Sequence, residues 1–163
     1  MGNTWGECSI DIKNESSTYD FGNPCIHMVR GQCSNPLPPL IESNSSGSAQ
    51  FGKTYGSPTG TVGVFTYDII NKSTKTTTGI IAVMFSVPYD YTYFDNLYAV
   101  GNFGNSQNCD YDLYRKMYYE SHSRFVRGKA TDPSITHTGD YVTIFASMSN
   151  AGQSALKVVV KDK

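Results

Sequence analysis

The sequence predicts a mostly β protein, a compact β-sandwich flanked by one or two short helices. Three observations carry that reading. The 163-residue chain holds 15 glycines and many Ser, Thr and Asn, a composition of short strands joined by turns. Its apolar segments are short, and several alternate apolar with polar residues as half-buried strands do. Only residues 110–120 carry a clear helical pattern, and many strands with one flanking helix suit a two-layer sandwich. A chain of this length buries a real core as one domain spanning 1–163.

Residues 8–13, CSIDIK, alternate and form the first expected strand, with 25–30, CIHMVR, as the second. Residues 31–48 are rich in proline and serine and read as a loop. A strand is expected at 49–54, and another through 62–70, where Gly60 and Gly63 bracket its start. The polar stretch 71–79, NKSTKTTTG, reads as a hairpin connection. Residues 80–86, IIAVMFS, are an unbroken apolar run, which marks the strand at the centre of the core. A strand at 96–103 ends in a glycine-rich loop, and strands at 141–148 and 153–161 close the chain.

In the helical segment Asn108 or Asp110 can serve as the cap. Tyr111, Tyr114 and Tyr118 fall within about 60° of one another at 100° per residue. Leu113 and Met117, spaced i and i+4, form a separate apolar stripe. Both stripes could serve as core, but one suffices to anchor a short helix. The expectation is that Leu113 and Met117 pack on the sheet while the tyrosine ridge faces a groove.

Several function classes find no support. The formal net charge is −1, so no global field draws nucleic acid. No run of about 18 apolar residues offers a membrane-spanning helix, and no basic-then-apolar leader is visible at the start. GxSxG, HExxH, P-loop and GxGxxG motifs are absent. Asp90, Asp95, Asp110 and Asp112 lie in the aromatic stretch, but acidic residues at turns are commonly caps, so no enzyme and no catalytic residue is expected. Arg124, Arg127 and Lys129 read as a short basic loop, either solvated or facing phosphate groups. The cysteines, Cys8, Cys25, Cys33 and Cys109, and the histidines, His27, His122 and His137, follow no metal pattern, so neither metal nor cofactor is expected.

If residues 14–17 turn the first strand back on the second, Cys8 faces Cys25. Then either a disulfide forms there, which suits an oxidising compartment, or the thiols stay free and buried. Sequons at Asn14, Asn44 and Asn71 lean toward secretion. The location read from these features is secreted or peripheral to a membrane, with the cytosol as the alternative.

The aromatic content is uneven. Eight of the twelve tyrosines lie in residues 83–119, against one tryptophan in the whole chain. Tyrosine offers an apolar ring and a polar tip. Its ring attracts quaternary ammonium groups, at roughly 0.5–2 kcal/mol per contact, and its hydroxyl donates to phosphate. A phosphocholine headgroup needs both. If the helix packs beside the end of strand 80–86, then Ser86, Pro88, Tyr114, Tyr118 and Tyr119 line one pocket. Tyr89, Tyr91, Tyr93 and Phe94 then become loop-tip aromatics suited to a lipid interface.

The motifs SVPYDY, YFDNLYAV and DLYRKMYY, with TGTVGVFTYDI and IDIKNES upstream, resemble the actinoporins, sphingomyelin-dependent pore-forming cytolysins of sea anemones. The likeness covers most of residues 8–160 and is densest at 59–119. It implies the same sandwich and a phosphocholine site at Val62, Ser86, Pro88, Tyr114, Tyr118 and Tyr119, with Arg30 matching a basic residue of that region. It also implies a membrane-contact loop, whose tryptophan-rich positions are Tyr93, Phe94, Leu97 and Tyr98 here. A serine expected after Arg30 is Gly31, and the family's Arg-Gly-Asp motif reads Arg127-Gly128-Lys129. The partners so implied are phosphocholine-containing membrane lipids and further copies of the chain on the membrane. A lectin-like module binding glycans through the same sandwich is the alternative. Only MGNTWGE precedes Cys8, too short for the family's pore-lining amphipathic segment: either the sequence is a piece of a longer protein, or the protein binds membranes without perforating them, or another segment serves, and little perforation is expected of the chain as written.

Overall fold

The computed structural model describes residues 6–54, 59–89 and 95–163. The first eight strands are β1 (Glu7–Asn14), β2 (Tyr19–Arg30), β3 (Gln32–Asn35), β4 (Leu40–Ile41), β5 (Ser45–Gly52), β6 (Thr61–Asn71), β7 (Thr77–Val87) and β8 (Leu97–Phe103). Helix α1 (Tyr111–Tyr119) follows, then β9 (Phe125–Lys129), β10 (Ile135–Thr138), β11 (Val142–Met148) and β12 (Gln153–Asp162). They form two six-stranded sheets, ordered β10-β11-β12-β1-β5-β3 and β4-β2-β6-β7-β8-β9. The sheets face each other as the expected sandwich, and α1 covers the outer face of the second.

Strand alternation sorts side chains into two cores. Phe65, Tyr67 and Ile69 of β6 and Ile81, Val83 and Phe85 of β7 point between the sheets, against Ile10, Phe51, Leu156 and Val158. Phe51 and Phe85 meet with ring centroids 4.7 Å apart. The alternate residues Val62, Val64, Ile80, Ala82 and Met84 face outward, where Leu113, Tyr114 and Met117 of α1 cover them. Residues of β7 are therefore buried on both faces, which explains why 80–86 carries no polar alternation.

Helix α1 is held at both ends. The Asp110 carboxylate accepts from the Leu113 N–H at 3.0 Å, a proper N-cap. At the other end Arg127 Nη1 donates to the carbonyls of Met117 and Glu120 at 2.8 and 2.7 Å, filling acceptors that a helix C-terminus leaves open. Residues 125–129 are thus strand β9 rather than a basic loop, and Arg127 is turned to the helix. Arg124 pairs instead with Asp140 at 3.3 Å, and Lys129 with Asp95 at 3.8 Å.

Three other expectations need correction. Residues 31–48 contain β3, β4 and the start of β5, short strands with few apolar residues to betray them. Residues 14–17 do not close a hairpin, because β1 pairs with β12 and β5 while β2 pairs with β4 and β6 in the other sheet. Cys8 is consequently sealed in the inter-sheet core and Cys25 is exposed, so the two are not disulfide partners. The sequon at Asn14 is no surface site, since Asn14 is fully buried and its side-chain nitrogen donates to the carbonyls of Tyr19 and Ile41 at 3.0 and 3.1 Å.

Leu113 is fully buried beneath α1. Leu113→Ala is expected to lower the unfolding free energy in urea by about 3 kcal/mol. A loss below about 1 kcal/mol would show that the helix is not seated as described.

Candidate functional site

Strand register builds the floor of the site. Arg30 lies opposite Val62, Val62 opposite Ser86, and Ser86 opposite Leu97, so these four residues form one row across β2, β6, β7 and β8. Ser86 falls on the outward face of β7 for the same reason as Met84 two residues before it. Helix α1 stands beside this row, and the chain after β7 rises past it as Pro88 and Tyr89.

Between them opens a cavity of about 410 Å³. All seven residues expected in a headgroup site, Arg30, Val62, Ser86, Pro88, Tyr114, Tyr118 and Tyr119, line it. So do Tyr89, Tyr111, Val29, Thr59 and Gly60. Sequence reasoning missed Val29, Thr59 and Gly60. It placed Tyr111 on the helical ridge without assigning it to the site, although the i, i+3 spacing from Tyr114 was the available signal.

The phenol rings form a ladder. Ring centroids are 5.8 Å apart for Tyr111 and Tyr114, 5.5 Å for Tyr114 and Tyr118, and 4.6 Å for Tyr118 and Tyr119. Exposure is least within it, 7% at Tyr114 in the floor, and rises toward both ends, to 49% at Tyr111 and 66% at Tyr119 on the rim. A cation already sits on one wall ring, since Lys53 Nζ lies 5.4 Å from the Tyr89 centroid.

Among the described lining residues Arg30 is the one that carries a formal charge, and no described carboxylate pairs with it. Burial, reinforced by the neighbouring phenols, raises the Tyr114 hydroxyl well above its ordinary range, with Arg30 opposing weakly. Burial and then Tyr119 raise Tyr118, against Arg127. Both hydroxyls therefore remain neutral donors at physiological pH.

Two glycines let the backbone close around this site. A side chain on Gly60 would meet the Val87 carbonyl oxygen at 2.1 Å, so only glycine lets this segment pass the end of β7. Gly31 has φ +83°, and a Cβ there would lie 2.5 Å from the Gly52 carbonyl oxygen. The turn after Arg30 thus requires glycine where a serine was expected.

The aromatic loop divides. Tyr89 is 41% exposed on the cavity wall. Leu97 is half-buried within β8 rather than in a loop. Tyr98 is a correction: it is 1% exposed and belongs to the inter-sheet core, because alternation along β8 turns it inward with Val100. Its hydroxyl donates to the Ala146 carbonyl at 3.5 Å. Tyr91, Tyr93 and Phe94 lie outside the described residues. A second cleft, about 440 Å³, lies beside Phe103 and mixes Asp110 and Asp112 with Lys116 and Arg124. Its acids and bases offset one another, and it has no ring ladder.

Residues 3–162 match the sea anemone cytotoxic protein family. The chain is an actinoporin-family protein. It is 34% identical to DELTA-actitoxin-Aas1a of Anthopleura asiatica over 74% of its own length and 54% of that toxin. It is 31% identical to bryoporin of Physcomitrium patens over 94% of its length and 82% of that protein. The chain thus spans about half the length of the anemone toxins DELTA-actitoxin-Aas1a and DELTA-actitoxin-Ucs1a. The crystal structure of the lipid binding protein Nakanori superposes with a TM-score of 0.71 at 11% identity, covering 98% of this chain and 72% of that one. That likeness is one of fold.

Burial also raises the phenols of Tyr67 and Tyr98. With Tyr114, they bind their protons more tightly folded than unfolded. The stability they contribute is therefore complete below about pH 10 and is lost as pH rises beyond it. Thermal unfolding at pH 7, 9 and 11 should show a clear fall in Tm at the last value. An unchanged Tm at pH 11 would contradict the burial of these hydroxyls.

Proposed function

We propose that this actinoporin-family chain docks at membranes, as a secreted or peripheral protein, by holding phosphocholine headgroups in the tyrosine-lined cavity. One observation carries the reading: ring faces, hydroxyl donors and a guanidinium line a single cavity that no described carboxylate lines. Trimethylammonium needs soft negative faces, and the phosphate beside it needs donors and positive charge. In this reading the methyl groups rest on the rings of Tyr114, Tyr118 and Tyr119, with Tyr111 and Tyr89 at the margin. The phosphate accepts from Ser86 and the neutral phenols and is drawn by Arg30. Val62 and Pro88 supply an apolar floor for the methyls. The resemblance assigns Tyr91, Tyr93 and Phe94, which lie outside the described residues, to contact with the lipid interface. Nakanori, whose fold this chain shares, is described as a lipid binding protein, and the family is described as cytotoxic. Both descriptions favour a lipid target over a sugar.

The test is co-sedimentation with vesicles of sphingomyelin, phosphatidylcholine or phosphatidylglycerol, each with free phosphocholine, free choline or free sugars as competitor. Binding to the two choline lipids, abolished by phosphocholine, is expected. Binding to phosphatidylglycerol alone, or inhibition by sugars alone, would overturn the reading.

Ring and hydroxyl contributions separate by substitution. Tyr114→Phe with Tyr118→Phe keeps the rings and should leave choline affinity within about twofold. It should weaken phosphocholine binding about tenfold, near 1.4 kcal/mol. Tyr118→Ala should weaken both ligands. Equal losses for choline and phosphocholine in the double phenylalanine variant, measured by calorimetry, would deny the hydroxyls their role.

A further inference from the structure

We infer that Cys25 and Cys109, whose side chains meet where the chain enters α1 beside β2, form a disulfide that ties the helix to the sheet. The two residues are 84 positions apart, and each thiol reaches the other's backbone: Cys109 Sγ donates to the Cys25 carbonyl at 3.2 Å, and Cys25 Sγ to the Cys109 carbonyl at 4.0 Å. Groups in such contact are within reach of side-chain rotation, as the narrow geometry of a disulfide demands. Neither remaining cysteine competes. Cys8 is sealed in the inter-sheet core, and Cys33 sits on β3 in the opposite sheet with its thiol on the Asn35 carbonyl.

The position gives the bond a purpose. Cys109 immediately precedes Asp110, the residue that caps α1, and Cys25 stands at the irregularity in β2 between Gly22 and Cys25. A covalent bond there fixes the start of the helix that carries the tyrosine ladder. It also shortens the unfolded chain's longest free excursion across this region. This inference stands apart from the headgroup reading, since it concerns the thiols alone.

Formation is a thiol–disulfide exchange with a small disulfide such as oxidised glutathione. The exposed Cys25, as thiolate, attacks one sulfur of that disulfide, forming a mixed disulfide and releasing one glutathione thiolate. Cys109 then loses its proton to solvent, and its thiolate displaces the second glutathione. Two protein thiols are oxidised, and one small disulfide is reduced to two thiols. Burial, ahead of the contact with Cys25, raises the Cys109 thiol to about 12. The second step therefore accelerates as pH rises.

The experiment incubates the purified chain with oxidised glutathione at pH 8, alkylates it under denaturing conditions and reads mass and tryptic peptides. The expected result is two alkylated cysteines of four, with peptides 14–30 and 76–115 joined. Tm should rise by roughly 5 °C or more. Cys25→Ser, a change at an exposed site, should abolish both the link and the rise. Four alkylated cysteines, glutathione left on Cys25 as the end product, or a link to peptide 31–53 would overturn the pairing. A link without any rise in Tm would overturn its role as a tether.

Discussion

The seating of α1 on the outer face of the second sheet is the constraint on which the rest depends. Leu113 and Met117 are fully buried there, against Val64, Ala82 and Met84. Burying each such side chain contributes roughly 1.5–3 kcal/mol, enough to hold a nine-residue helix that would be marginal alone. That seating does two further things. It places Tyr114 partly in the same core, so the ladder has a rigid base. It also leaves the row of Arg30, Val62 and Ser86 open at one edge of the helix, and the opening is the cavity. Arg127 of β9 ties the C-terminal end of the helix to the sheet, while Asp110 caps its start.

Much of this was legible in the sequence, and the reasons for the failures are physical. The run 80–86 announced a strand covered on both faces, and the stripe of Leu113 and Met117 announced which side of the helix would be buried. The convergence of Ser86 with Tyr114 and Tyr118 followed from placing those two elements side by side. Tyr98 was misjudged because it was grouped with neighbouring aromatics, whereas its partner across the sheet, Phe85, already points inward. Strand β9 was missed because Arg127 looks like a solvated residue until the helix carbonyls it serves are in view. The pairing of Cys8 with Cys25 failed because a short polar segment can join two sheets as readily as it closes one hairpin. Gly31 could not be explained from sequence, since its positive φ and the nearby Gly52 carbonyl arise only in the folded chain.

The site's chemistry is one of division of labour. In the proposed reading, aromatic faces with no described carboxylate beside them suit a cation, while neutral phenols and one guanidinium suit the anion attached to it. Burial reinforces the division, because it keeps the Tyr114 and Tyr118 hydroxyls protonated and able to donate. The same burial makes the phenols sensitive to strong alkali. Of the positions at which the actinoporin resemblance implies tryptophan, here Tyr93, Phe94, Leu97 and Tyr98, the last lies in the inter-sheet core.

The most direct measurement is a crystal structure of the chain grown in saturating phosphocholine. The account predicts the three methyl groups against the rings of Tyr114 and Tyr118, with the phosphate within hydrogen-bonding distance of Ser86 and on the Arg30 side. Phosphocholine bound only elsewhere, or an empty tyrosine-lined cavity at saturation, would contradict it.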